Sequence, residues 1–322
     1  MHGAAEAIRA SFKLNTVYSI SSMTRVLGTI FAGLLGLAFG SFLNVCLSRW
    51  PAGESIVSPR SHCRGCGREL SWWENVPVVS WLALRGRCRS CGARISWRYP
   101  LVELTVGVLW AISASRAFIL IQWLPALNYS PVRWLESDAL RFCARLVFTW
   151  LLTALLVLDA EHQWLPDKLT LPGILFGFIY RFGDFILDHS FSFLQRSSVP
   201  LMITRLGVQA LGIIAAGGLI LLIRWIYWLI RKREGIGLGD AKLMAMLAAW
   251  LGLQGALLSF AIGVVLGAVA ALVVLVLPST RKNNEGWAVT KLPLGTFLCV
   301  GGIVSSFWGE QMIHAYLRWA GF

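Results

Sequence analysis

Long apolar stretches divide this chain, near residues 26–47, 100–123, 140–159, 171–187, 204–230, 240–254, 256–277 and 292–313. A hydrocarbon core about 30 Å thick takes roughly twenty apolar residues of helix. Within lipid each segment must satisfy its own backbone polar groups, which favours helices over open strands. The fourth and sixth stretches are short and suit tilted neighbours of an aqueous cavity. Gly252 and Gly255 divide a run from 240 to 277 that greatly exceeds one crossing. Only 14% of the 322 residues are charged, against roughly 25% in soluble proteins, so the chain lacks the polar surface to face water everywhere. These features predict an all-α polytopic membrane protein with about eight transmembrane helices.

The net charge is +13, and its placement orients the spans. Arg49, Arg60, Arg64, Arg68, Arg85, Arg87, Arg89, Arg94 and Arg98 crowd the single long polar loop, 48–99. Arg231, Lys232, Arg233 and Lys242 flank the fifth and sixth spans, and Arg281, Lys282 and Lys291 lie between the last two. The intervening loops carry only Arg133 and Arg196. Positive loops stay in the cytoplasm, so the 48–99 loop is cytoplasmic and both termini face outward. Basic residues that flank apolar runs form no single face, which argues against nucleic-acid binding. Residues 1–25, with Arg9, Lys13 and Arg25 and no small-residue cleavage site, read as an N-terminal extension and not as a signal peptide. Met23 is an alternative start. The 188–203 segment reads as an external loop.

Two acids stand at the borders of these stretches. Asp159 closes the third span in Leu158-Asp159-Ala160-Glu161-His162, and Asp240 opens the sixth in Gly237-Leu238-Gly239-Asp240. Carboxylates beside hydrocarbon are costly and are kept for function. Two of them suit a hydrolase in which one carboxylate deprotonates water while the other, protonated, donates to the reacting carbonyl; like charges in contact share a proton. The helix macrodipole favours an anion at Asp240, at a helix N-terminus, and disfavours one at Asp159, at a C-terminus. On that ground Asp240 is expected to be the base and Asp159 the acid. Asp167, in Leu165-Pro166-Asp167, rivals Asp159, although it also reads as an N-terminal charge on the next helix. Glu161 and His162 read as solvated.

The polar loop holds Cys63-Arg64-Gly65-Cys66-Gly67 and Cys88-Arg89-Ser90-Cys91-Gly92. Two tight C-x-x-C turns offer four thiolates to a tetrahedral ion, zinc above all, with a disulfide framework, redox pairs or an iron centre as alternatives. A four-thiolate site has no open position, so such a zinc is structural. Nearby arginines favour thiolate over thiol. Cys46, Cys143 and Cys299 lie in apolar runs and read as packing residues. No repeat of fixed period is visible.

Taken together, the motifs resemble the bacterial type IV prepilin leader peptidase and N-methyltransferase family, from about residue 26 to the C-terminus. They are Gly40-Ser41-Phe42-Leu43-Asn44-Val45 with Arg49-x-Pro51, the cysteine knuckles around Trp73-Glu74-Asn75-Val76-Pro77, Arg98-Tyr99-Pro100-Leu101-Val102-Glu103, the Asp159 and Leu165-Pro166-Asp167 segment, and Gly237-Leu238-Gly239-Asp240-x-Lys242-Leu243. Pro293-Leu294-Gly295 resembles the family's Pro-x-Gly-Pro, with Thr296 in place of the final proline. The resemblance implies a multi-pass enzyme of the bacterial inner membrane with its active site facing the cytoplasm. It implies removal of the basic leader of prepilins or pseudopilins after a glycine, with Asp159 and Asp240 as the catalytic pair, and service to type IV pili or type II secretion. It also implies N-methylation of the new terminus from S-adenosylmethionine, and a peptidase domain over 100–322 following the first helix and the zinc-binding loop.

No Gly-x-Gly-x-x-Gly fingerprint marks a Rossmann site for the methyl donor. Candidates to hold it are Glu74, Asn75, Gly86, Arg98 and Glu103, with Asn44 beside them; for the two glutamates a salt bridge to a loop arginine is the plainer role. The tryptophans at 72, 73, 81 and 97 pack the loop or lie at the interface. Leader binding would draw on Glu54, Glu69, Glu74 or lipid headgroups, since the loop arginines repel a basic leader. Two rivals stand beside the bifunctional enzyme. One is a peptidase whose loop is only a zinc-held platform. The other is a transport or scaffold protein with carboxylates along an ion path, although such carboxylates usually lie deeper in a span.

Overall fold

The computed structural model describes residues 2–123, 131–189, 198–232, 237–276 and 293–321. The basic stretch between the last two expected spans lies outside them, as does the middle half of the expected external loop at 188–203. Among the described residues the chain is helical, with two isolated β-bridges and no named strand. It forms two compact units, Met1–Thr149 and Trp150–Phe322.

In unit 1, helix α1 (His2–Arg49) packs along α3 (Arg98–Trp123). α1 runs without a break from the expected N-terminal extension into the first span. Between the two helices lie a 3-10 turn at Trp72–Asn75 and the short α2 (Val79–Ala83). The α1–α3 seam is built on small residues: a Cβ on Gly36 would stand 2.9 Å from the Gly107 Cα, and one on Gly40 2.7 Å from the Glu103 Cα. Backbones approach closely at such positions because in lipid helices associate by packing and not by escape from water. Arg25 donates to Ser115 Oγ across the same seam at 3.2 Å.

Unit 2 takes the end of α4 (Pro131–His162), then α5 (Asp167–His189), α6 (Ser198–Arg231), α7 (Leu238–Val276) and α8 (Leu294–Trp319). α7 is central and packs on α5, α6 and α8. Its first half supplies Leu243, Met244, Met246 and Leu247, all fully buried. Trp250 crosses to α5, where its Nε1–H donates to the Gly173 carbonyl at 2.7 Å and its ring stacks on Tyr180.

Among the described residues six helices are long and apolar enough to cross a membrane, against the eight expected. The expected sixth and seventh spans are the two parts of α7, which breaks at Gly252, where φ is 77° and ψ 172°. That left-handed φ favours glycine, and the Arg181 guanidinium lies against the notch, 2.7 Å from where a Cβ would stand. The expected eighth span is α8, which is not among the six; Ser305, Ser306, Glu310 and Gln311 dilute its apolar run.

α8 lies so close to α7 that a Cβ on Gly301 would collide with the Ser259 carbonyl oxygen. Backbone cannot yield as a flexible side chain does. Gly301→Ala is therefore expected to cost about 1–3 kcal/mol of stability through overpacking. The thermal midpoint of the detergent-purified protein should fall accordingly, and an unchanged midpoint would mean that the seam has slack.

Candidate active site and metal centre

Asp159 lies one turn before the end of α4, and Asp240 in the first turn of α7. Both belong to unit 2 and both are buried, 5% and 9% exposed. They lie within charge range of each other and of the buried Cys299. Leu165 forms a shared wall: a Cβ on Gly239, next to Asp240, would stand 3.0 Å from the Leu165 Cβ, and one on Gly295 3.0 Å from its Cδ1. The same Gly295 Cβ would stand 2.9 Å from Asp159 Oδ2, so only glycine lets α8 begin this close to the carboxylate. Two buried carboxyl groups that feel each other's charge resist both being ionised, the condition under which a pair divides acid and base roles.

Their hydrogen bonds differ. Asp159 Oδ2 accepts from the Thr296 N–H at 2.6 Å and from the Thr296 Oγ1–H at 3.0 Å. Asp240 Oδ2 accepts from the Gly237 N–H at 3.2 Å. In the sequence Thr296 reads only as a departure from a proline turn, with no chemistry attached.

The rival acid has another partner. Asp167, at the start of α5, pairs with Lys242 at 2.5 Å, and its side chain is 57% exposed. Glu161 and His162 stay exposed at the end of α4, as expected.

In unit 1 the sulfurs of Cys63, Cys66, Cys88 and Cys91 all lie within 4.8 Å of one another, and none is in a disulfide. Cys63 and Cys91 sulfurs are 3.8 Å apart, the edge of a tetrahedron with metal–sulfur bonds of about 2.3 Å being about 3.8 Å. The cluster could hold a metal ion. Its two halves repeat each other, a periodicity hidden in the sequence because little but C-x-x-C-Gly is shared. Cys63 N–H donates to Arg68 O and Gly67 N–H to Cys63 O; Cys88 N–H donates to Ala93 O and Gly92 N–H to Cys88 O. Bridges His62↔Glu69 and Arg87↔Arg94 close the two hairpins. Gly67 and Gly92 both have φ of 71°. N–H groups of Cys91 and Ser90 pull the Cys88 thiol down to about 6, toward the thiolate that a metal needs.

Among the residues expected around a methyl donor, Glu74, Gly86, Arg98, Glu103 and Asn44 have local partners. Glu74 is buried, accepting from Arg68 at 2.6 Å and from the Ser71 N–H at 2.8 Å. The Arg68 hydrogen bond first, then that from Ser71, holds its carboxyl below the usual range. Gly86, at φ 65°, leaves room for the Trp81 ring, which also meets Trp97 and whose Nε1–H donates to Ile95 O at 3.2 Å. Asn75 is exposed and Arg98 lies over the Tyr99 ring. Glu103 is buried on α3, and its Oε2 accepts from the Val78 N–H at 2.7 Å. Val78 has φ of 61°, a strained conformation for a β-branched residue. Asn44, 1% exposed, donates to Tyr99 O, but its Oδ1 has no partner. Arg49 ties the loop to the end of α1 through Ser55 O and Pro59 O.

Comparison with known proteins gives the following. Residues 34–117 match the family described as Bacterial Peptidase A24 N-terminal domain, and residues 146–272 the Type IV leader peptidase family. The chain is 33% identical over 319 residues to a prepilin leader peptidase/N-methyltransferase of Pseudomonas aeruginosa, covering 90% of this chain and 93% of that protein. A protein of the same description from Stutzerimonas stutzeri is 33% identical, covering 89% and 93%, and one from Dichelobacter nodosus 34%, covering 89% and 93%. No solved structure matches. Gly295 and Thr296 lie beyond both matched segments.

Proposed function

The chain belongs to the type IV leader peptidase family, and on that premise we propose that it cleaves the leader from prepilins or pseudopilins and then N-methylates the new terminus. The observation that carries the peptidase reading is the buried pair Asp159 and Asp240, within charge range at two helix ends of one unit. One carboxylate takes a proton from water, whose oxygen bonds to the carbonyl carbon, while the other carboxyl protonates the carbonyl oxygen. The first carboxyl then returns its proton to the leaving amine as the C–N bond breaks, and the second regains one from the diol. A glycine before the scissile bond lets extended substrate backbone enter between the helices.

The protein sits in the bacterial inner membrane, with the arginine-rich loop and the aspartate pair at the cytoplasmic face. A prepilin's basic leader stays on that side while its hydrophobic helix remains in the bilayer. Zinc is the ion suited to the four cysteines; fully coordinated, it holds the loop and takes no part in hydrolysis. S-adenosylmethionine supplies a methyl group from a sulfonium. Its cationic centre, or the amine that accepts the methyl, suits the acceptor-rich patch of Asn44 Oδ1 and Glu103, with Glu74, Asn75, Gly86 and Arg98 in the loop around it.

The test is product mass. Purified full-length protein, incubated in detergent with a prepilin, should yield a product that lacks the leader, and with S-adenosylmethionine one heavier by a single methyl. Leader loss without the methyl would leave the narrower peptidase reading, and an intact substrate would refute both.

A further inference from the structure

We infer that Thr296 is a positioning residue that makes Asp159 the carboxylate that receives the proton of water and leaves Asp240 as the proton-holding partner, the reverse of the assignment drawn from helix ends. The inference rests on the aspartate-pair reading above.

A backbone N–H can only donate, so Asp159 Oδ2 accepts from Thr296 at 2.6 Å whatever the hydroxyl does. The Thr296 hydroxyl has two acceptors in reach, that same oxygen at 3.0 Å and the Leu156 carbonyl at 3.4 Å, and the nearer is Oδ2. An oxygen that accepts two hydrogen bonds has both lone pairs engaged and has no place for the shared proton. Asp240 is held by one longer bond, from Gly237. Hydrogen bonds to the charged form favour it, so the shared proton belongs on Asp240.

The helix that carries each acid supplies only part of the field it feels. Asp159 does close α4, but α8 begins against it: Leu294 is the first residue of α8, and Thr296 lies in its first turn. The dipole of α8 therefore presents its positive end to Asp159, offsetting the negative end of α4. Gly295 makes the approach possible, since any side chain there would meet Asp159 Oδ2. With Oδ2 anchored, Oδ1 is the oxygen left to meet water.

Thr296→Val removes the hydroxyl donor with little change of shape, and Thr296→Ser keeps both donors. The experiment measures kcat, KM and the pH dependence of leader removal for the full-length protein and these variants on one prepilin. Expected is a fall in kcat of roughly tenfold for Thr296→Val, the size of one charge-assisted hydrogen bond. KM should stay within about twofold and Thr296→Ser near wild type, because the residue acts through Asp159 and not on substrate. The acidic limb of the kcat profile should move and the alkaline limb stay, since the acidic limb reports the group that must be ionised.

Movement of the alkaline limb instead would make Asp159 the acid and overturn the inference. Unchanged kcat in Thr296→Val would overturn it as well. Should Thr296→Val fail to accumulate, Thr296→Ala against Thr296→Ser still decides. Cleavage that survives Asp159→Asn would instead refute the peptidase site itself, a separate failure.

Discussion

Asp159→Asn and Asp240→Asn each lose leader removal by a factor on the order of a thousand or more, while the protein remains folded and in the membrane. An asparagine keeps the shape and neutralises the charge, so packing at 5% and 9% exposure is preserved. What goes is proton transfer. Neither water activation nor protonation of the carbonyl can be done by an amide, and each contributes typically a hundredfold to ten-thousandfold. The double variant should be little worse than either single one, because groups that act as a unit do not add. Asp167→Asn is the control: its side chain is 57% exposed and paired with Lys242, so cleavage should stay within about threefold of wild type. The measurement is kcat/KM by product mass on one prepilin, with thermal midpoints to confirm folding. If Asp167→Asn loses activity and Asp159→Asn keeps it, the second carboxylate has been misassigned.

Some of this site is legible in the sequence because its signals are local. A carboxylate at the edge of an apolar run needs no partner to be noticed, and neither does a doubled C-x-x-C. Gly252 is readable as a break for the same reason: an apolar run too long for one crossing needs an interruption, and glycine supplies the φ of 77° found there. Other features depend on partners far along the chain. Thr296 meets Asp159 across 137 residues, and nothing in either segment announces it. The acid–base assignment from helix ends takes in α4 alone, whereas the field at Asp159 comes from α8 as well, which is the ground of the reversed assignment inferred above. Glu103 has the same character: its hydrogen bond to a strained Val78 is set by the path of the loop, 25 residues earlier. The number of crossings is obscured by composition, because the serines and Glu310 of α8 weaken an apolar signal that α7, uncharged after Asp240 and Lys242 in its first turns, shows in full.

Stripping the metal from the cysteine loop separates the two activities: methylation is lost and leader removal persists. Between residues 50 and 97 the described chain offers a four-residue 3-10 turn and a five-residue helix as its only regular elements. So small a segment cannot bury the surface that stabilises an independent core. Its order therefore depends on the four sulfurs, and a structural zinc supplies roughly 10–16 kcal/mol of binding energy that is also folding energy. Without the ion, the turn that carries Val78 loses its frame, and with it the N–H that Glu103 accepts. The residues argued to face the methyl donor, Asn44 and Glu103 on the helices and Gly86 in the loop, all belong to unit 1. Asp159, Asp240 and Thr296 all belong to unit 2, whose contacts are made by helices and need no metal. Chelation, or Cys63→Ser with Cys88→Ser, should thus give a product without its leader and without the added methyl, at a cleavage rate within about threefold of wild type. Elemental analysis on the same samples reports the metal content. Methylation by protein shown to be metal-free would remove the ion from the argument, and equal loss of both activities would mean that the peptidase site also depends on the loop.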